Sequence, residues 1–216
     1  MTDAPRFAAV VLDADSTLAG IEGIDWLAER RDAAVAARIA ELTDLAMRGA
    51  LPLDAVYGER LVAIRPTVRE LEALAAAYVT ALAPGAVECV QALREAGVRV
   101  AIVSGGIRQA LLPMAAALGI SDADVRAVEL TFDADGTYVG YRPSPLATQR
   151  GKYLAIETLE LPHPVLGVGD GATDVHMRPA ADTFAAFTGW VTRDPVVRAA
   201  DHVLSSFDHL RTLVLG

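Results

Sequence analysis

Phe7-Ala8-Ala9-Val10-Val11-Leu12-Asp13-Ala14-Asp15-Ser16-Thr17 is the stretch that decides the fold. Its first six residues are apolar without alternation, the pattern of a strand covered on both faces, as in a parallel sheet. The run stops at two carboxylates two residues apart. Ligands of open α/β sheets bind beyond the carboxyl ends of the strands, so Asp13 and Asp15 stand where chemistry is expected. One acid suits attack on phosphorus and the second suits proton transfer, provided that a divalent cation holds the surplus negative charge. Taken alone, Asp-x-Asp is better read as a turn or a helix cap.

Downstream the pattern changes. Residues 23–48 and 53–82 are rich in Ala, Leu and Glu with apolar positions at helical spacing, which predicts a helical insertion broken near 49–52 and at Pro66. After Pro84-Gly85, helix and strand alternate. A helix is expected over 86–96, a strand over 98–103, and a further helix opened by Ser104-Gly105-Gly106 and stopped by Gly119. A hairpin over 128–141, centred on Asp135-Gly136, precedes a helix over 152–159, a strand over 165–168 and a helix over 172–181. Short strands at 183–187 and 202–204 complete a three-layer α/β sandwich with right-handed crossovers.

Composition bounds the function. The 216 residues suffice for one large core or for a main domain with a smaller insertion. With 53% hydrophobic and 22% charged residues, the chain buries enough apolar surface to offset the entropy of ordering. A net charge of -9 argues against phosphate-backbone binding, so no nucleic-acid partner is expected. Cys89 is the single cysteine, which excludes an internal disulfide and a cysteine metal cage, and its apolar helical setting makes it a core residue. Residues 1–6 lack the apolar core of a signal peptide, and no stretch approaches the roughly 18 apolar residues of a membrane span. A cytoplasmic protein without a membrane partner is expected, monomer or homodimer being left open.

Four polar clusters follow strand ends or open helices: Asp13 to Thr17, Ser104-Gly105-Gly106, Lys152, and Gly169-Asp170-Gly171-Ala172-Thr173-Asp174. The Ser104 hydroxyl and the following N–H groups suit phosphate oxygens, which favour helix N-termini, although an N-cap and turn would look the same. Lys152 is either a solvated charge or the cation that neutralises a phosphoryl oxygen and keeps a nucleophilic carboxylate ionised. Two glycines flank Asp170 straight after a buried strand, which lets its carboxylate approach a metal. Asp174 caps a helix or supports the cation from its outer side. An all-oxygen set of this kind suits Mg²⁺. His163, His176, His202 and His209 show no metal-binding spacing, and no Gly-x-Ser-x-Gly is present.

In this order the four clusters resemble the motifs of the haloacid dehalogenase-like phosphatases, over nearly the whole chain from Val10 to Asp201. Within them the chain is similar to the phosphoserine phosphatase family: Asp13-x-Asp-Ser-Thr runs into Glu22-Gly-Ile-Asp25, and Gly169 to Asp174 resembles that family's fourth motif. The resemblance implies a Rossmann-like core, residues 1–17 and 83–216, with a small helical cap, residues 18–82, inserted after the first strand. It implies Mg²⁺-dependent hydrolysis of a small phosphomonoester, O-phospho-L-serine, through an aspartyl-phosphate. Asp13 would be the nucleophile, Asp15 the acid and base, and Lys152 the charge partner. Metal ligands would be Asp13, the Asp15 carbonyl and Asp170, with Asp174 beside them. Glu22 would meet the ammonium and Arg60 the carboxylate, with Met47, Ser104, Gly105, Lys152 and Thr173 as further substrate contacts. Arg65 and Arg69 stay open as alternatives to Arg60.

Three departures from the family pattern bear on pocket shape. Ala14 stands for a bulkier apolar residue, Ile107 for an aromatic, and Gln149-Arg150-Gly151 precedes Lys152 where glycines are frequent. Two other readings remain at this point: a phosphatase or phosphotransferase for another small phosphomonoester, and a non-enzymatic phosphoacceptor domain. The second requires neither a proton donor beside the acceptor nor a large insertion.

Overall fold

The computed structural model describes residues 4–216. The elements run β1 (Ala9–Leu12), α1 (Gly23–Ala28), α2 (Ala33–Met47), α3 (Leu53–Ile64), α4 (Val68–Thr80), α5 (Ala86–Glu95), β2 (Arg99–Ile107), α6 (Arg108–Ala117) and β3 (Val125–Val128). They continue with β4 (Leu130–Phe132), β5 (Tyr138–Tyr141), α7 (Gly151–Glu157), β6 (Val165–Gly169), α8 (Ala172–Val175), β7 (Thr183–Phe187), α9 (Asp194–Ala199), β8 (His202–Leu204) and α10 (Phe207–Leu215).

Six strands form a parallel sheet in the order β3-β2-β1-β6-β7-β8, an α/β Rossmann-like architecture. β1 and β6 are buried along their whole length, as their unbroken apolar runs predict. From β1 the chain builds outward through β2 to β3, then returns to build β6, β7 and β8 on the other side. The order therefore reverses at β1, and the crevice at its carboxyl end is where this class of sheet binds ligands.

Four helices, α1 to α4, lie between β1 and α5. The chain leaves for them and returns at one place: Gly20 N–H donates to Ala81 O at 2.9 Å and Ala83 N–H to Leu18 O at 2.8 Å. Trp190, from the loop after β7, packs its indole on Gly20 and donates Nε1–H to Thr17 O at 3.2 Å. The β4–β5 hairpin reaches the start of α4, where Val68 N–H donates to Gly136 O at 3.0 Å and Tyr138 N–H to Pro66 O at 3.1 Å.

The structure differs from the sequence expectations in four places. The helical stretch 23–48 is interrupted after α1, because Asp32 accepts from the Ala34 and Val35 N–H groups and starts a new helix. Ser104-Gly105-Gly106 continues β2 instead of opening a helix, and α6 starts only at Arg108. The register against β3 shifts across this segment, the irregularity that glycines permit inside a strand. α8 is a single turn where a helix to residue 181 was expected. β3, α9 and α10 were not anticipated. Cys89 is buried in α5, as expected. Among the described residues no helix is long and apolar enough to cross a membrane.

Candidate active site

Asp13 and Asp170 sit at the ends of β1 and β6, the neighbouring strands at which the sheet order reverses. The Asp13 N–H donates to Val168 O at 3.0 Å, locking the start of one polar turn to the adjacent strand. Lys152, in the first turn of α7, is buried with its Nζ 2.7 Å from Asp13 Oδ1 and 2.5 Å from Asp174 Oδ1. Burial alone would lower its pKa, but the charges of Asp13 and Asp174 outweigh burial and raise it, so the ammonium persists. Its approach to Asp13 is not aligned as a hydrogen bond, and Asp13 Oδ1 has no hydrogen-bond partner among the described residues.

Asp13, Asp170 and Asp174 each bring a carboxylate oxygen within 4.8 Å of the others, all three residues being buried. Gly169 makes this possible: a Cβ there would overlap the Asp174 carboxyl group. Asp174 takes the capping role and also meets Lys152. Its Oδ2 accepts the Gly171 N–H at 2.8 Å, capping α8, while Oδ1 faces Lys152. Thr17 Oγ1–H donates to Asp170 Oδ1 at 3.1 Å, and Arg193 pairs with Asp170 Oδ2.

This donor set fits a hard divalent cation, which prefers carboxylate oxygens and relieves their mutual repulsion. Burial and then the Asp13 charge push Asp174 up to about 6. Burial and then the Glu22 charge also push Asp170 up.

Asp15 is held by one oxygen. Its Oδ1 accepts from the Tyr78 hydroxyl at 2.5 Å and from the Gly23 N–H at 3.2 Å. Oδ2 faces Gly106, where a Cβ would come within 3.3 Å. Burial, followed by the Asp13 charge, pushes this carboxyl up to about 7. A proton on Oδ2 would therefore be carried in the neutral range by a group whose orientation is already fixed.

Glu22 accepts the Ser16 hydroxyl at 2.7 Å, with Arg193 Nη2 3.9 Å away. Burial and the Asp15 charge push it up to about 8, although 23% of its side chain remains accessible. Arg60 is buried, donating from Nη1 to Thr43 Oγ1 at 2.8 Å. The predicted substrate contacts Glu22, Met47, Arg60, Ser104, Gly105 and Thr173 line one pocket of about 420 Å³, mouth included, together with Asp13, Asp15 and Lys152. Arg65 and Arg69 are exposed and do not line it.

The phosphate-binding amides expected at a helix N-terminus are strand-end groups instead. Within β2, Ser104 Oγ accepts the Gly106 N–H at 3.0 Å, and Gly105 O accepts the Tyr57 hydroxyl at 2.8 Å. Tyr57, Tyr78 and Arg193 escaped the sequence reading. The tyrosines are single residues in helical patterns and carry no local signal. Arg193 had one: it lies between a strand and the Asp194-Pro195 start of α9, on a carboxyl-end loop.

The chain is similar to known proteins in sequence and fold. A family model described as haloacid dehalogenase-like hydrolase matches residues 10–178. Phosphoserine phosphatase of Bos taurus is 37% identical over 206 residues, covering 94% of this chain and 91% of that protein. A solved phosphoserine phosphohydrolase-like protein from Francisella tularensis subsp. tularensis SCHU S4 superimposes with a TM-score of 0.87 at 25% identity, covering 95% of this chain and 98% of the other. A phosphoserine phosphatase solved as a phospho-aspartyl intermediate analogue superimposes with a TM-score of 0.78 at 25% identity, covering 92% and 93%. With Asp13, Asp15 and Lys152 gathered in one pocket at the switch point of the sheet, and relatives aligned along almost its full length, the chain belongs to the haloacid dehalogenase-like hydrolases, in the phosphoserine phosphatase family.

Proposed function

We propose that this phosphatase cleaves O-phospho-L-serine to L-serine and phosphate, with Asp13 as nucleophile, Asp15 as acid and then base, and Mg²⁺ as the cation. One observation carries the substrate reading: Glu22, a carboxyl that an arriving ammonium would draw into its ionised form, and Arg60, a buried guanidinium, line the same pocket as Asp13 and Asp15. Arg60 is buried with no carboxylate in ion-pair contact among the described residues. An unpaired buried cation is costly, and a ligand carboxylate would relieve it. A zwitterionic head group answers both residues at once.

Asp13 attacks the phosphorus in line, forming a bond from its carboxylate oxygen while the bond to the serine oxygen breaks. Asp15 delivers its proton to that departing oxygen. Water then attacks the phosphorus of the acyl phosphate, Asp15 takes up its proton, and the bond to Asp13 breaks to release phosphate. Lys152, its ammonium 2.7 Å from Asp13, balances the charge spread over the phosphoryl oxygens, with Ser104 and the Gly105 amide at the same end. Mg²⁺, when bound by Asp13, Asp170 and the Asp15 carbonyl with Asp174 beside them, would offset the charge crowded onto the phosphoryl group. The four helices of residues 18–82 act as a cap that excludes bulk water and limits the site to small phosphates. The proposal places this reaction in the cytoplasm.

Phosphate release across a panel of small phosphomonoesters, with and without Mg²⁺, tests the assignment. Phosphoserine is expected to exceed an aryl phosphate by at least about tenfold in kcat/KM, the worth of a satisfied charged contact, and chelation is expected to abolish turnover. Equal rates on the two would remove Glu22 and Arg60 from substrate recognition and favour another small phosphomonoester.

A further inference from the structure

Arg60 Nε has no hydrogen-bond partner among the described residues, and Nη1 is held by a hydroxyl instead of a carboxylate. That hydroxyl is itself committed. Thr43 Oγ1–H donates to Asp25 Oδ1 at 2.5 Å. The three residues come from three helices: Asp25 from α1, Thr43 from α2 and Arg60 from α3. Neither Asp25 nor Thr43 lines the pocket.

The order of the chain matters chemically. A threonine hydroxyl has one hydrogen to give and two lone pairs to offer, whereas an ionised carboxylate only accepts. Asp25 therefore takes the hydrogen, and the Thr43 oxygen must present a lone pair to the guanidinium. Direct contact between Asp25 and Arg60 would form a forked ion pair and occupy the donors that planar recognition of a carboxylate requires. With threonine between them, the negative charge steadies Arg60 without consuming it. The buried Thr43 also fixes the guanidinium against rotation, so less freedom is lost when ligand arrives.

We infer that Asp25 and Thr43 are positioning residues for amino-acid recognition, holding Arg60 oriented and unpaired for the substrate carboxylate. This rests on the reading of Arg60 as the carboxylate contact. The prediction is selective: a substrate with the same phosphate and ammonium but no carboxylate gains nothing from the relay.

Steady-state kinetics of the Mg²⁺-loaded enzyme on O-phospho-L-serine and O-phosphoethanolamine test it, using T43V, T43S, D25N and R60A. T43V is expected to raise KM for phosphoserine by about ten- to a hundredfold, the range for losing a hydrogen bond to a charged group. Its kcat should stay within about twofold, and phosphoethanolamine turnover should be unchanged. T43S restores the hydroxyl and should restore KM. D25N should shift KM in the same direction by less, because an amide oxygen still accepts, and it supplies the same readout should T43V fail to fold. If R60A leaves the preference for phosphoserine over phosphoethanolamine intact, the carboxylate reading of Arg60 is wrong. If R60A abolishes that preference while T43V and D25N keep it, or lower turnover of both substrates alike, the positioning role is overturned.

Discussion

The two ends of the pocket are built on opposite electrostatic principles. At the sheet end, Lys152 lies between Asp13 and Asp174, and Arg193 covers Asp170, so each buried charge already has a partner. At the helical end, Arg60 meets a hydroxyl and has no ion-pair partner among the described residues, while Glu22 meets another hydroxyl and has only Arg193 Nη2 at 3.9 Å. The sheet end is preorganised for charge that moves during the reaction; the helical end is left unsatisfied for charge that arrives with the ligand. The contrast separates rate from recognition, and substitutions at each end are expected to report on different quantities.

The largest effect is expected from Asp13→Asn. Loss of the nucleophile should lower phosphate release by something on the order of 10⁴- to 10⁶-fold, while L-serine binding measured by calorimetry persists through Glu22 and Arg60. Loss of serine binding to the same extent would show that the two ends are one unit.

An intermediate effect is expected at Gly23, where a Cβ would overlap the Tyr78 hydroxyl. G23A must push the phenol off Asp15 Oδ1 and disturb the neighbouring Gly23 N–H bond to the same oxygen. We expect kcat to fall by about 10²-fold or more, the usual worth of a positioned acid, with a smaller loss in Y78F, which removes only the hydroxyl. A change confined to KM would move Gly23 and Tyr78 to the recognition side of the comparison.

The smallest effect concerns the scaffold beneath the helical end. Arg31 forks onto Glu70 with bonds of 2.6 and 3.0 Å, and the same carboxylate closes the capping box at Thr67. The Arg31 hydrogen bonds hold Glu70 down at about 2, below the ordinary 4.5. A depressed carboxyl pKa stabilises the fold above the unfolded value and loses that contribution as pH falls toward the folded one. The melting difference between wild type and E70Q should be constant above about pH 5.5 and should shrink between roughly pH 4.5 and 2, with a total below about 1 kcal/mol for so accessible a pair. Activity at pH 7 should not change. A rate loss in E70Q would show that the scaffold is coupled to the pocket.

The sheet end was legible because its chemistry sits at discontinuities. An apolar run that stops at Asp13, and another that stops at Gly169-Asp170, are visible in one dimension, and the strand-end rule brings them together. Lys152 was legible only jointly, since one lysine at a helix start has no distinguishing pattern. The helical end was not legible from periodicity: Glu22 and Arg60 entered through resemblance, and Thr43, Asp25 and Tyr78 look like ordinary helical residues until α1, α2, α3 and α4 are packed. Ser104-Gly105-Gly106 misled for a physical reason. Serine followed by glycines is the chemistry of a helix start, and only the pairing partner β3 shows that the strand continues through it.

The paired hydrogen bonds at Leu18, Gly20, Ala81 and Ala83 have an evolutionary consequence. Because the chain departs and returns at a single point, the intervening helices can vary in sequence or length while β1 and α5 keep their places, provided that Gly23 and Tyr78 still hold Asp15. A lineage can thus inherit the reaction and acquire a new diet by rewriting the parts of one segment that do not touch Asp15.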